Sequence, residues 1–207
     1  METGFISGLY GVTPETQNTN TLLAKVELLL NAGVNFFQYR NKFSDISRRR
    51  DQARTMSDLV RSRGGVFIVN DSIEVAKYAQ ADGVHLGRLD GDLATARKEL
   101  SIKAFIGASC YNDVQLALDA KNKGADYVAF GSFFFSLTKP SAPRADLSVI
   151  KQCKSLIDLP VVGIGGITVT NAQILFEAGA DSIAVSSGLF DADNIEDSVH
   201  GFNKYFK

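Results

Sequence analysis

Gln38, Arg40 and Lys42 recur at every second position at the end of an apolar run, Val34, Phe36 and Phe37. In extended backbone a period of two places alternate side chains on one face. An amide, a guanidinium and an ammonium then point the same way, which suits a multiply charged anion such as a diphosphate. A strand end running out into solvated loop is the competing interpretation. Further along, Gly163-Ile164-Gly165-Gly166-Ile167 is followed by Ser186-Ser187. Glycines let backbone N–H groups approach an anion, and a helix N-terminus adds a favourable field, so this pair of segments reads as a phosphate cradle. A tight turn alone would also use those glycines. Asp71 and Asp90 follow neighbouring apolar runs, so their carboxylates would converge. Without a histidine partner they suit a hard oxygen-seeking cation, Mg²⁺, held by one or two carboxylates and substrate phosphates. A helix cap at Asp71 and an Asp90–Arg88 pair are the alternatives.

Nothing in the chain offers a covalent nucleophile. His85 lies between Val84 and Leu86 in an apolar run and reads as a packing residue, and His200 falls in the last helical pattern. Cys110 has no histidine beside it to raise its thiolate fraction.

These residues must be positioned by elements that alternate from end to end. Strand patterns cover 5–12, 34–37, 66–69, 84–86, 104–107, 127–130, 161–164 and 182–185. Helical patterns follow each, over 20–32 (with Asn20 as N-cap), 45–63, 74–80, 93–100, 112–123 (with Asn112 as cap), 146–157, 171–178 and 195–205. Eight strand–helix pairs in about 200 residues predict a single (β/α)8 barrel domain spanning 1–207, and no glycine-rich dinucleotide fingerprint favours a doubly wound open sheet. A weak repeat supports the count: Ala32-Gly33-Val34-Asn35, Lys123-Gly124-Ala125-Asp126 and Ala178-Gly179-Ala180-Asp181 each join a helix to an even-numbered strand, with Ala81-Asp82-Gly83 a degenerate copy. Active sites of such barrels lie at the C-terminal strand ends. The residues found there are Gln38, Arg40 and Lys42; Asn70 and Asp71; Arg88 and Asp90; Ser109; Ser136, Thr138 and Lys139; Gly165-Gly166; and Ser186-Ser187.

Composition narrows the partners. A net charge of −1 on 207 residues argues against a nucleic-acid surface, since Arg48-Arg49-Arg50 is flanked by Asp45 and Asp51. Two distant cysteines match no metal or redox spacing, which fits a reducing, cytoplasmic setting. No secretory signal and no apolar run of membrane length is visible. Small phosphorylated molecules are the expected partners, and a homo-oligomer is compatible with this reading.

Taken together, Gln38-x-Arg40-x-Lys42, Val69-Asn70-Asp71, Gly83-Val84-His85-Leu86-Gly87, Gly107-Ala108-Ser109, Ser136-x-Thr138-Lys139 and Val162-Gly163-Ile164-Gly165-Gly166-Ile167 resemble the thiamine phosphate synthase family, in family order over nearly the whole chain. The resemblance implies an eightfold barrel that joins a hydroxymethylpyrimidine diphosphate to a thiazole phosphate, releasing diphosphate with Mg²⁺. It implies that Gln38, Arg40, Lys42, Asn70, Ser109 and Lys139 hold the pyrimidine diphosphate, with Arg40, Lys42 and Lys139 stabilising charge. It assigns the metal to Asp71 and Asp90, and the thiazole phosphate to Ser136, Thr138, Gly166, Ser186 and Ser187. Three positions depart from the family pattern. Arg88 stands where glutamine is usual, Gly131-Ser132-Phe133-Phe134-Phe135-Ser136 lacks two prolines and should be less constrained, and Ser136 replaces threonine. A thiazole tautomerase, a sister family of similar fold, and a silent phosphate-ligand sensor are the rival functions.

Overall fold

Alternation along the strands separates two apolar layers. In the computed structural model, which describes residues 6–42, 44–136 and 143–206, Tyr10, Val12, Phe36, Val66, Ile68, Tyr127, Ala129, Val162 and Ala184 pack together inside a barrel. Their sequence neighbours Leu9, Phe37, Phe67, Val69, Val128 and Ile183 face the surrounding helices. Strands buried on both sides read as apolar runs in this way because helices cover the outer face.

The elements alternate until two helices close the chain: β1 (Gly8–Val12), α1 (Thr19–Asn31), β2 (Phe36–Tyr39), α2 (Ile46–Ser62), β3 (Val66–Asn70), α3 (Ile73–Ala79), β4 (Gly83–Leu86), α4 (Leu93–Glu99), β5 (Phe105–Tyr111), α5 (Val114–Asn122), β6 (Tyr127–Phe130), α6 (Ser148–Leu156), β7 (Val161–Ile164), α7 (Ala172–Glu177), β8 (Ser182–Val185), α8 (Ser187–Phe190) and α9 (Ile195–Asn203). All eight strands are parallel, and β8 pairs with β1 to close the barrel. The expected (β/α)8 architecture is therefore present. Element ends differ locally. Asn18, not Asn20, caps α1 by accepting from Thr21 N at 3.0 Å. Asp113, not Asn112, caps α5, and Asn112 Oδ1 instead accepts from Asp146 N at 2.9 Å. The four-residue α8 is too short to leave a periodic signature.

The repeat has a mechanical explanation at the N-terminal end of the barrel. Asp82, Asp126 and Asp181 each donate a backbone N–H to a carbonyl near the start of the preceding odd strand, those of Phe67, Ile106 and Val161. Their carboxylates also accept from Phe67 N (2.9 Å), Ile106 N (2.7 Å) and Val161 N (2.7 Å). A cation from the even-numbered helix completes each pin: Arg61, Arg97 and Lys154. Arg97 is the most enclosed of the three, also donating to the carbonyls of Ala104 and Gly124 at 2.7 and 2.9 Å. The opposite end of the barrel is left to carry the site.

Candidate active site

One cavity opens at the C-terminal mouth, and its floor is a chain of inward-facing polar side chains. Gln38 Nε2 donates to Tyr10 Oη at 2.8 Å, and Tyr10 and Tyr127 share a hydroxyl contact of 3.0 Å. Tyr127 Oη lies 3.1 Å from His85 Nδ1, and His85 Nε2 lies 2.9 Å from Ser109 Oγ. The direction of this chain follows from its first link. Tyr10 accepts from the amide, so its own proton goes to Tyr127, whose proton goes to His85 Nδ1. That leaves Nε2–H to donate to Ser109, and the Ser109 hydroxyl proton free to face the cavity. Burial raises the pKa of Tyr10 and Tyr127 well above the ordinary phenol range. Both phenols therefore stay neutral. Gly107 makes room for it, since a Cβ there would lie 2.1 Å from Tyr127 Cζ and 2.4 Å from His85 Nδ1.

Around this floor the cavity is lined by Gln38, Arg40, Asn70, Ser109, Ser136, Gly166, Ser186 and Ser187, eight residues expected from the sequence. Thr138 and Lys139 lie outside the described residues. Lys42 departs from the expected arrangement. Regular extended backbone ends at Tyr39, so the period-two argument does not reach position 42. Its ammonium turns instead to Asp71, with Nζ 2.6 Å from Oδ2, a close ion pair rather than an aligned hydrogen bond. Arg40 does line the cavity, and its guanidinium contacts Glu15 Oε1 at 2.5 Å.

Both alternatives for the aspartates fail. Ser72, not Asp71, caps α3, and Asp71 sits in the left-handed region with φ 65°. Asp90 Oδ2 accepts from Gly87 N at 3.1 Å, and no Asp90–Arg88 ion pair occurs among the described residues. The Arg88 main-chain N–H instead reaches Tyr111 Oη at 3.4 Å. The two carboxyl groups lie against each other and titrate apart. Burial raises both; Asp90 is raised further by the hydrogen bond and charge of Asp71, whereas for Asp71 the Lys42 contact and the bond from Asp90 win and lower it. Two carboxyl groups in contact, with only oxygen donors and one buried oxygen held by a half-exposed ammonium, fit a hard divalent cation that takes its remaining ligands from water and substrate. Among the described residues no cluster of three or more ligating side chains occurs, so the protein's own share would be these two.

Across the mouth, Gly165 and Gly166 adopt φ 106° and 63°, and a Cβ on Gly166 would meet Phe135 O at 2.1 Å. The amides of Gly166 and Ile167 have no hydrogen-bond partner among the described residues. The 131–136 segment lies along this turn. Phe133 N and Phe134 N donate to the carbonyls of Ile164 and Gly165 at 3.1 and 2.9 Å, and Ser132 Oγ donates to Phe134 O at 2.9 Å. This part of the loop is thus anchored despite the missing prolines. Phe133 is buried and packs the loop, whereas Phe135 is exposed.

Tyr10, Tyr127 and Glu15 were not expected from the sequence, and His85 was expected only to pack. It does pack, at 6% exposure, but inside an eight-stranded barrel an inward packing residue is also the cavity wall.

Fold and site together define a barrel enzyme built to bind phosphorylated small molecules at its mouth. The family model described as thiamine monophosphate synthase matches residues 9–189. The thiamine-phosphate synthase of Thiobacillus denitrificans is 48% identical over 98% of this chain and 96% of its own length, and that of an Azoarcus species is 50% identical over 90% and 91%. The solved thiamine phosphate pyrophosphorylase of Pyrococcus furiosus superimposes with a TM-score of 0.84 at 30% identity, covering 96% of this chain and 94% of that one. The chain belongs to the thiamine monophosphate synthase family and is a transferase of thiamine biosynthesis. No described helix is long and apolar enough to cross a membrane.

Proposed function

We propose that the chain joins a hydroxymethylpyrimidine diphosphate to a thiazole phosphate, giving thiamine phosphate and diphosphate. The observation that carries this reading is the division of one cavity. A hydrogen-bonding floor with Arg40 stands on one side and an unpartnered pair of amides with Ser186 and Ser187 on the other, while Asp71 and Asp90 follow β3 and β4 outside the cavity lining. A heteroaromatic ring on the floor would place its diphosphate near Arg40, Asn70 and Lys42. A second phosphate would lie on the Gly166 turn, contacted by Ser136, Ser186 and Ser187.

Asp71 and Asp90 would hold Mg²⁺, which supplies charge neutralisation to the departing diphosphate. The substitution is dissociative: the pyrimidine methylene–oxygen bond breaks, its electron pair leaves with diphosphate, and the thiazole nitrogen lone pair closes the new carbon–nitrogen bond. No protein nucleophile is required. Cys110, fully buried with its thiol pushed up to about 12 by burial first, offers none. The protein's work is positioning and electrostatic stabilisation. Arg40 and Lys42 act on charge that grows on the leaving oxygens, and contacts that strengthen in the transition state raise the rate about tenfold per 1.4 kcal/mol. The floor presents the dipoles of Gln38, Tyr10 and Ser109 to the cationic methylene. Incubating the purified protein with both substrates and Mg²⁺ should yield thiamine phosphate and stoichiometric diphosphate; tautomerised thiazole alone, or binding without turnover, would replace this reading by one of its rivals.

A further inference from the structure

Arg40 is held from behind by a residue that never reaches the cavity. Its guanidinium contacts Glu15 at 2.5 Å, with the two side chains only 13% and 16% exposed. Arg40 lines the cavity and Glu15 does not. The backbones carrying the pair are fastened to each other on both sides. Thr13, itself buried, accepts from Arg40 N at 2.9 Å and donates to Arg40 O at 3.3 Å. On the far side of Glu15, Thr16 O accepts from Asn41 Nδ2 at 3.0 Å and Gln52 Nε2 at 3.2 Å. Asn41 and Tyr39 both donate to Gln52 Oε1, at 3.0 and 2.9 Å. Glu15 therefore projects from a segment locked to β2, not from a free loop. Arg40 Nε is enclosed and has no hydrogen-bond partner among the described residues. A guanidinium is planar with its donors in a fixed fork, so tying Nη1 to Glu15 sets the direction of the remaining N–H groups.

We propose that Glu15 is a positioning residue that pre-orients Arg40 for the diphosphate group, an inference that rests on the assignment of Arg40 to that group. An arginine side chain free in the cavity would lose rotamer freedom each time an anion bound; one already fixed loses little. The carboxylate also sets an opposing effect in play, because it neutralises part of the charge that the diphosphate would meet. The pair is enclosed and short, and its backbone is locked, so orientation outweighs masking.

The test uses inorganic diphosphate as probe, measured by calorimetry with saturating Mg²⁺, on the parent, Glu15→Ala, Glu15→Gln, Arg40→Ala and the Glu15→Ala/Arg40→Ala double variant. Glu15→Ala should raise the diphosphate Kd about tenfold, the loss expected when one long side chain must be ordered on binding. Glu15→Gln keeps an acceptor for Nη1 and should stay within about threefold. The Glu15→Ala effect should vanish in the Arg40→Ala background, and the KM for thiazole phosphate should not move in either Glu15 variant. Tighter diphosphate binding in both Glu15 variants would overturn the proposal in favour of charge masking, and an equal loss with and without Arg40 would reduce Glu15 to a structural role. If Arg40→Ala itself leaves diphosphate binding unchanged, the assignment of Arg40 fails first. Should Glu15→Ala not fold, failure of Glu15→Gln to retain parental diphosphate affinity overturns the proposal on its own.

Discussion

Tyr127→Phe removes one oxygen from the centre of the polar floor. The Tyr127 hydroxyl is fully buried and joins Tyr10 Oη at 3.0 Å to His85 Nδ1 at 3.1 Å. Without it, the Tyr10 proton loses its acceptor and His85 Nδ1 its donor. A buried polar group left unpaired costs about 1–3 kcal/mol. Tyr10 and His85 both border the cavity, where water can approach, so each should fall in the lower part of that range. The ring itself is retained, including its edge contacts with Tyr10 and Phe36 at centroid distances of 6.2 Å, so there is little added cavity cost. The expected loss is therefore about 2–4 kcal/mol, or roughly 5–15 °C in Tm for a chain of this size. Thermal denaturation measures the loss. Nitrogen NMR of labelled histidine checks the proton order, with His85 carrying its proton on Nε2 in the parent. A Tm within about 1 °C of the parent, or a parental His85 protonated on Nδ1, would refute the reasoning.

Three further outcomes follow from the same geometry. Asp90→Asn should bind diphosphate more tightly than the parent without divalent cation, because a negative group is lost, and more weakly with Mg²⁺; titration calorimetry under both conditions checks it, and a loss of equal size in both would remove Asp90 from the metal site. Gly166→Ala places a Cβ against Phe135 O in a left-handed backbone that costs a non-glycine residue about 1–2 kcal/mol; the KM for thiazole phosphate should rise at least about tenfold with that for the pyrimidine diphosphate little changed, and a shared rise would show general collapse of the mouth. Burial holds the folded Cys110 thiol near 12 against an ordinary value of 9.0, so the unfolded chain ionises first. Stability contributed by that thiol is complete below about pH 9 and declines as pH rises toward 12, by about 1.4 kcal/mol at pH 10; urea midpoints should fall less steeply across this range in Cys110→Ala, and an identical slope would contradict the shift.

How much of this could be read from the chain depended on the range of each interaction. Strand and helix alternation and the repeat carrying Asp82, Asp126 and Asp181 are local patterns, so spacing revealed both, whereas the bonds those aspartates make to strand and helix appear only in the structure. Gln38 and Arg40 were legible for the same reason: they continue the inward face of β2 set by Phe36. Lys42 was not, because the strand stops at Tyr39 and the side chain answers to Asp71 instead. The Tyr10–Tyr127 contact spans 117 residues and the His85–Tyr127 contact 42, distances at which no periodicity speaks. His85 looked apolar-flanked because Val84 and Leu86 face the helices, which says nothing about its own inward face. Glu15 lies 25 residues before Arg40 in a turn segment without a repeating pattern, and only the register of β1 against β2 brings them together. The caps went astray for a different reason: Asn18 and Asn20 are chemically equivalent, and only the backbone entry angle chooses between them.

The balance of charge at the mouth explains why a metal belongs in the proposed reaction. Arg40 is already matched to Glu15 and Lys42 to Asp71, while Asp90 adds a further carboxyl whose proton is held more tightly than usual. Within this group of five side chains two cations face three carboxyl groups, so a diphosphate entering this site would meet no net positive charge from them. Arg40 can still give the N–H groups on its cavity side that Glu15 does not engage, but Lys42 must leave Asp71 before it can grip an anion. A divalent ion taken up by Asp71 and Asp90 would release Lys42 and replace its single charge by two in the same step. On the proposed reaction, the pairing of Lys42 with Asp71 would be a placeholder that keeps two adjoining carboxyl groups tolerable until a metal and diphosphate replaced it. The two carboxyls divide accordingly: burial and then Asp71 raise Asp90, while against the same burial the Lys42 contact and the bond from Asp90 lower Asp71. The trio that marked the sequence is therefore three differently restrained groups, with Gln38 fixed in the floor, Arg40 fixed from behind, and Lys42 free to change partners.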